Sequence, residues 1–283
     1  MKIILRKKDS VTSIVLFIFN IYGEYTNQYS IQLRHLIDFM MLFNKNETST
    51  RMGLSRMVKA GILINRKVDN EVVYQLTEFG LDNINIWNDG ITNFFKRYQK
   101  RFQAWDGKWS AIILLDFNKS DKERQPVIDE LTEMGLREVN RNNWICPYQV
   151  SDDVKALTAK ENIRYLALNG AEIQSDVSGY KLLDNVFEVA SVRKKYLGFL
   201  EMLQEIKNEI DGLGGNEGYC LALLFKLGWN FYDIAVSDPA LPKEFLEDWE
   251  GDRVVEEFQR LRTYLYQKVV QYFIKKNDFT SSD

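Results

Sequence analysis

Between Asn46 and Gly61 the sequence sets Thr48, Ser49, Arg51, Met52, Ser55, Arg56 and Lys59 toward one side of a helix. Thr50, Gly53, Leu54, Met57 and Val58 fall on the other side. The first set carries the chemistry of nucleic-acid recognition, because guanidinium and hydroxyl groups on a narrow helix reach base edges and phosphates in a major groove. An outward arginine on any surface helix is equally a solvated one, so spacing alone leaves both readings open. Arg66, Lys67 and Asn70 follow shortly after on a segment with strand character. Catalytic chemistry has little to work with. His35 is the only histidine, so no nucleophile–histidine–acid triad can be assembled around a second base. Neither a P-loop, a nucleophile elbow nor an H-E-x-x-H run occurs. The run Gly212-Leu213-Gly214-Gly215-Asn216-Glu217-Gly218 approaches a dinucleotide fingerprint, but Glu217 stands in place of the last glycine and a helical segment precedes it, so a turn is expected. Cys146 and Cys220 lie far apart and outside any metal spacing. Neither a disulfide, a metal nor a cofactor is expected, and the compartment is expected to be reducing.

These residues need elements to hold them. Ser10 to Tyr22 has the three-to-four spacing of a buried helix face in Val15, Phe19 and Tyr22, with Asp9 or Ser10 as its cap. Ile31 to Phe43 predicts a second helix. Asn44 to Glu47 is a polar turn in which Asn46 can cap the third, which Gly61 ends as a left-handed residue would. Ile62 to Lys67 and Val72 to Leu76 then form a hairpin with a short polar tip. Helix, helix, turn, helix and hairpin is the order of a winged helix-turn-helix. Asp69 and Glu71 at the wing tip oppose phosphate contact unless turned away.

Charge is divided along the chain. Residues 1–104 carry 15 Lys and Arg against 9 Asp and Glu, or +6, and residues 105–283 carry 22 against 31, or −9. A basic head on an acidic body suits DNA, though solvated faces also give such imbalances. Phe94 to Arg101 predicts a basic linker helix, with Lys96, Arg97, Lys100 and Arg101 either continuing a DNA-facing surface or forming a solvated face. The apolar stretch Val15 to Ile21 is too short for an anchor, holds Asn20 and leads to no cleavage site, so no membrane segment and a cytoplasmic location are expected.

From Trp109 the period changes. Ile112 to Leu115 predicts a strand, Lys122 to Met134 a helix ended by Gly135, Leu136 to Val139 and Asn143 to Pro147 two strands, Asp152 to Lys160 a helix, and Tyr165 to Leu168 a last strand. This βαββαβ order is that of a ferredoxin-like sandwich. It resembles the core of small CRISPR-associated nucleases, whose acidic residue matches Asp116. A lone carboxylate is more often a turn residue, since two-metal phosphodiester chemistry needs several, yet a metal-dependent phosphodiesterase is the alternative reading, and a non-catalytic assembly protein a third. Residues 185–275 are helical and rich in aromatic side chains. The expected fold class is therefore α+β, in four parts. They are a winged helix-turn-helix at 1–86, a linker helix at 87–104, a ferredoxin-like domain at 105–180 and a C-terminal helical domain at 181–283.

The run Thr50-Arg51-Met52-Gly53-Leu54-Ser55-Arg56-Met57-Val58-Lys59-Ala60-Gly61 resembles the recognition helix of the phenylacetate-degradation repressor (PaaX) family. Ala104-Trp105-Asp106-Gly107-Lys108-Trp109 resembles the entry to that family's central domain, and Asp238-Pro239-Ala240-Leu241-Pro242 through Gly251 its C-terminal signature. The matches fall in family order over nearly the whole chain. The resemblance implies a homodimeric repressor on double-stranded operator DNA, not an enzyme, released by an aryl-acyl-coenzyme A, typically phenylacetyl-coenzyme A. For that effector the aromatic Trp229 and Tyr232 are candidates for the ring, with Arg193, Lys194 and Lys195 for the phosphates; core or dimer interface is the competing role of the aromatics. Three departures stand out. Gly53 replaces a usual alanine, the wing is more acidic, and Tyr232 and Asp233 replace residues that are commonly basic.

Overall fold

The computed structural model describes residues 8–115, 117–150, 152–172, 179–212, 217–246 and 248–278. Its helices are α1 (Val11–Thr26), α2 (Leu33–Met41), α3 (Glu47–Lys59), α4 (Glu78–Lys100), α5 (Asp121–Glu133), α6 (Asp152–Lys160), α7 (Gly179–Phe187), α8 (Val189–Asp211), α9 (Tyr219–Ser237) and α10 (Glu250–Asp278). Its strands are β1 (Ser30–Gln32), β2 (Leu63–Val68), β3 (Glu71–Leu76), β4 (Trp109–Leu115), β5 (Arg137–Asn140), β6 (Asn143–Cys146) and β7 (Arg164–Ala171). The chain forms two compact units: Met1–Asn88 with Phe199–Phe231 and Val254–Asp283, and Asp89–Gly198 with Tyr232–Arg253.

In the first unit, α1 starts at Ser10, whose hydroxyl accepts from the Ser13 backbone N–H at 3.1 Å, and stops at Asn27 in the left-handed region. Asn46 caps α3, its carboxamide oxygen accepting from the Ser49 N–H at 2.9 Å. Gly61, at φ +72°, turns the chain out of α3 into β2. The hairpin β2–β3 pairs Leu63 with Leu76 and Val68 with Glu71, closed by Asp69 and Asn70 at φ +46° and +66°. Two successive positive φ values are the mark of a type I′ turn, which favours Asn and Asp at both positions. Ile14, Val15, Ile18, Phe19, Leu36, Leu54 and Met57 close the core of the helical head. Phe273 of α10 packs its ring 5.3 Å from Tyr22 and 5.0 Å from Phe39, so the C-terminal helix belongs to this core.

Two expectations are corrected here. The helix expected from Ile31 begins at Leu33, because Ser30–Gln32 instead pairs with β3 and completes a three-stranded sheet of order β1-β3-β2. Three residues are too few to show a period of two. The helix expected at Phe94–Arg101 is the end of α4, which starts at Glu78 immediately after the wing.

The second unit contains the four-stranded sheet β5-β6-β4-β7, antiparallel throughout, the strand order of a ferredoxin-like sandwich. Ile112, Leu114, Val127, Leu131, Trp144, Val154 and Leu157 fill its core. Asp116 lies outside the described residues, as does Leu213–Asn216 of the glycine-containing run.

The expected basic face of Lys96, Arg97, Lys100 and Arg101 is corrected in part. Lys96 is exposed and Lys100 half-buried, but Arg97 and Arg101 are buried, Arg101 with 0% of its surface exposed. Arg101 donates to Asp252 at 3.0 Å and to the Leu241 and Leu246 carbonyls at 2.8 and 3.0 Å. Arg97 donates to the Ala235 carbonyl at 2.8 Å and also to that of Glu133, and Arg137 donates to the Ser237 carbonyl. Burial lowers the Arg97 and Arg137 pKa values to about 10, which leaves both charged at neutral pH. For Arg101 burial also opposes the charge, but the hydrogen bond and charge of Asp252 outweigh it and the pKa is raised. Asp238, 2% exposed, accepts from Tyr196 and from the Ala240 N–H at 2.6 Å.

Two stability predictions follow from this packing. A Cβ on Gly53 would meet Val11 Cγ1 at 2.2 Å, so glycine stands there for space. Gly53→Ala is expected to destabilise by about 1 kcal/mol, because overpacking costs about 1–3 kcal/mol while helix propensity returns about 1 kcal/mol. Adding Val11→Ala should remove the clash and make the two changes non-additive in urea unfolding; additive losses would refute the steric account. Arg101→Leu is expected to cost about 3–5 kcal/mol, because it strands a half-buried carboxylate and two carbonyls. Lys96→Ala should stay within about 0.5 kcal/mol. Equal denaturation midpoints for the two variants would show that the buried guanidinium contributes nothing.

Candidate DNA-binding interface

The inward stripe of α3 fixes what the helix presents outward. Thr50, Gly53, Leu54 and Met57 are buried, and Val58 is half-buried. Thr48, Arg51, Met52, Ser55, Arg56 and Lys59 are exposed and Ser49 is half-buried. Met52 leaves 53% of its surface in solvent, an apolar side chain held on a polar face. Arg66, Lys67 and Asn70 are exposed on the wing. The structure thus brings the helix residues onto one surface and sets the wing residues on the adjoining hairpin.

The cations of this surface differ in their partners. Arg51 Nε donates to Glu47 Oε1 at 2.7 Å, one turn back on the same helix, so its guanidinium is engaged within the protein. Arg56, Lys59, Arg66 and Lys67 have no carboxylate partner among the described residues. Glu71 lies 3.9 Å from Arg34 of α2, which compensates one of the two acidic residues of the wing. Sequence reasoning passed over Glu47 and Arg34. The four-residue spacing of Glu47 and Arg51 was a sufficient signal for the first; the second is a tertiary pairing with no local trace.

The effector candidates are divided between the two units. Trp229 belongs to the first unit, where it lines a small apolar cleft with Phe17, Trp87 and Phe225, its ring 5.3 Å from Trp87. Arg193, Lys194, Lys195 and Tyr232 belong to the second. Arg193 pairs with Glu250 at 2.9 Å and lies over the Trp249 ring, and Lys195 pairs with Asp233 at 3.1 Å. Lys194 is exposed without a carboxylate partner among the described residues. Tyr232 packs on Gly90, and burial raises its hydroxyl to about 12. Among the described residues no cluster of His, Cys, Asp and Glu is arranged to hold a metal, and no helix is long and apolar enough to cross a membrane.

The chain thus combines a helix-turn-helix with a wing, a ferredoxin-like sandwich and a helical C-terminal part. Three family models match in chain order: PaaX-like protein over residues 13–80, PaaX protein central Cas2-like domain over 102–179, and PaaX-like protein C-terminal domain over 187–275. The chain belongs to the PaaX-like family. The solved structure of the uncharacterized protein Rv0674 from Mycobacterium tuberculosis is similar in fold, with TM-score 0.54 and 18% identity over 90% of this chain and 96% of that one. No curated protein matches the sequence.

The pairing within α3 gives a prediction. Arg56→Ala is expected to weaken binding to the cognate DNA by about 1–3 kcal/mol. Arg51→Ala should cost less, since DNA must first break an ion pair worth about 0.3–0.5 kcal/mol, and Glu47→Gln should tighten binding. Gel-shift titration at fixed salt checks the order; unchanged affinity in both arginine variants, or weaker binding by Glu47→Gln, would remove α3 as the contacting helix.

Proposed function

We propose that the protein is a dimeric, cytoplasmic transcriptional regulator that binds operator DNA in a sequence-specific way, a repressor of phenylacetate-type catabolism genes released by an aryl-acyl-coenzyme A. The observation that carries the DNA-binding part is the outward face of α3, whose Arg56 and Lys59 are exposed and without a carboxylate partner among the described residues, beside a cationic wing. The family supports regulation as the purpose of that binding. In this reading residues 1–86 bind DNA, 87–104 link, 105–180 form the ferredoxin-like domain, and 181–283 serve the effector and the dimer. Thr48, Ser49, Arg51, Met52, Ser55, Arg56 and Lys59 meet the major groove, and Arg66, Lys67 and Asn70 the backbone beside it. A dimer is required because one short helix gives too little specific contact, and its two heads must sit about one DNA turn apart. Release then needs only a change in that spacing.

Phenylacetyl-coenzyme A offers a ring to Tyr232 and phosphates to Lys194, the cation of its cluster without a carboxylate partner among the described residues. Arg193 and Lys195 join only by exchanging Glu250 and Asp233 for phosphate. The expected outcome is that phenylacetyl-coenzyme A at micromolar concentration displaces the protein from its operator in a gel shift while free phenylacetate does not. Lys194→Gln with Lys195→Gln should raise the concentration needed roughly tenfold, a loss of about 1.4 kcal/mol. Calorimetry that finds no heat with aryl-acyl thioesters, on protein that still binds DNA, would remove the effector and leave the DNA-binding reading intact.

A further inference from the structure

The exposed face of α3 has a centre and two flanks. At about 100° per residue the buried Thr50, Gly53, Leu54 and Met57 define one direction, and Thr48, Met52, Ser55 and Lys59 all lie within about 30° of the opposite one. Arg51 and Arg56 stand about 70° to either side. Among the exposed residues of α3 Met52 alone is apolar, and it leaves 53% of its surface in solvent. Its neighbours one turn away on that face are Thr48, Ser55 and Arg56, so no apolar side chain of the helix covers it. Its backbone is held in place. Asn46 caps the helix, the Thr50 hydroxyl donates to the Asn46 carbonyl at 2.9 Å, and the next residue, Gly53, stands where Val11 leaves no room for a Cβ. Lys, Gln or Glu would serve helix propensity as well and solvent better, so neither accounts for a methionine there.

The chemistry of the groove names the partner. Major-groove base edges offer donors, acceptors and one apolar group, the C5 methyl of thymine, which 5-methylcytosine shares. A thioether laid over an amine or a carbonyl displaces its water and returns no comparable hydrogen bond, whereas over a methyl group it buries apolar surface on both sides. Methionine is also unbranched and adapts to an irregular surface. Resting on the DNA-binding reading of α3, we propose that Met52 is a specificity-determining residue that selects a thymine by its C5 methyl group and disfavours cytosine there, whose N4 amine it leaves without an acceptor.

The test uses the full chain and a duplex that it enriches from a random-sequence pool. Each thymine of the enriched site is replaced in turn by deoxyuridine, which removes one methyl group and leaves every hydrogen-bonding atom in place. The expected result in fluorescence-anisotropy titration is a thymine position at which the replacement weakens binding by the parent about three- to fivefold, the effect of burying one methyl-sized group. In Met52→Ala the two duplexes should bind equally. Met52→Leu should keep most of the difference, and Thr48→Ser, which removes the other methyl group of that face, all of it. With the parent, 5-methylcytosine at the position should bind more tightly than cytosine and less tightly than thymine. The melting temperature of Met52→Ala should match that of the parent, which separates a lost contact from a lost fold. An enriched site in which no thymine methyl group matters, a deoxyuridine penalty of equal size in the parent and in Met52→Ala, or tighter binding of 5-methylcytosine than of thymine would overturn the assignment of Met52 and leave α3 as the DNA-binding helix. A pool with no enriched sequence would overturn both.

Discussion

A guanidinium with no surface in water, that of Arg101, is the constraint on which the second unit depends. A charge taken out of solvent has to be matched by an opposite charge and by acceptors for its remaining N–H groups. Asp252 supplies the charge, and the Leu241 and Leu246 carbonyls supply the acceptors. The relation also runs the other way. Among its described residues the stretch from 238 to 249 has a single short 3-10 turn, at Lys243–Phe245, so most of its carbonyls have no ladder to satisfy them. Arg101, Arg97 and the Tyr148 hydroxyl do so instead, the last on Ala240 at 2.5 Å. Ala240 itself sits at φ +53°, between Pro239 and Pro242. The D-P-x-L-P run is thus a structural signature, a stiff, left-handed turn whose polar atoms are held by buried side chains, and no ligand is needed to explain it.

The same arginines show where sequence reading fails and why. Counting positive charges from Phe94 to Arg101 groups Lys96, Arg97, Lys100 and Arg101 together, whereas the fold separates them. Phe94, Arg97, Tyr98 and Arg101 stand at the spacing of a buried helix stripe, and all four are buried; Lys96 and Lys100 lie off it. The signal was in the sequence, but a scale that places arginine outside by type hides it. Where residue type and position agreed, the reading was accurate: Asn46 caps α3, Gly61 ends it, and the strand order of the ferredoxin-like sheet follows from the change of period at Trp109. The missing β1 is of another kind, since its existence depends on a partner edge more than 40 residues away and on nothing local.

Gly53 connects the hidden face of the head to its exposed one. Helix propensity disfavours glycine there, yet Val11 occupies the space where a methyl group would stand. Close approach of α1 and α3 is thereby set by one missing Cβ and one β-branched side chain, which has few rotamers with which to yield. The angle at which Arg51, Met52, Ser55 and Arg56 project from the head follows from that contact.

The acidic wing has a backbone explanation too. Asp69 and Asn70 both lie at positive φ, a conformation that Asn, Asp and Gly tolerate and most other residues do not. Asp69 is therefore accounted for by the turn, and Glu71 by Arg34, without appeal to either residue as a repulsive element. With Asn70 at the tip able to add only a neutral contact, any cationic contact to phosphate by the wing then has to come from the body of β2. There Arg66 and Lys67, opposite Val73 and Val72, project to opposite faces of the hairpin because successive strand residues alternate. The two cations therefore do not form one patch: under the proposed function one lies on the face of the wing turned toward DNA and the other reaches a phosphate only by extending around the edge of the hairpin, which leaves α3 with the larger share of the charge.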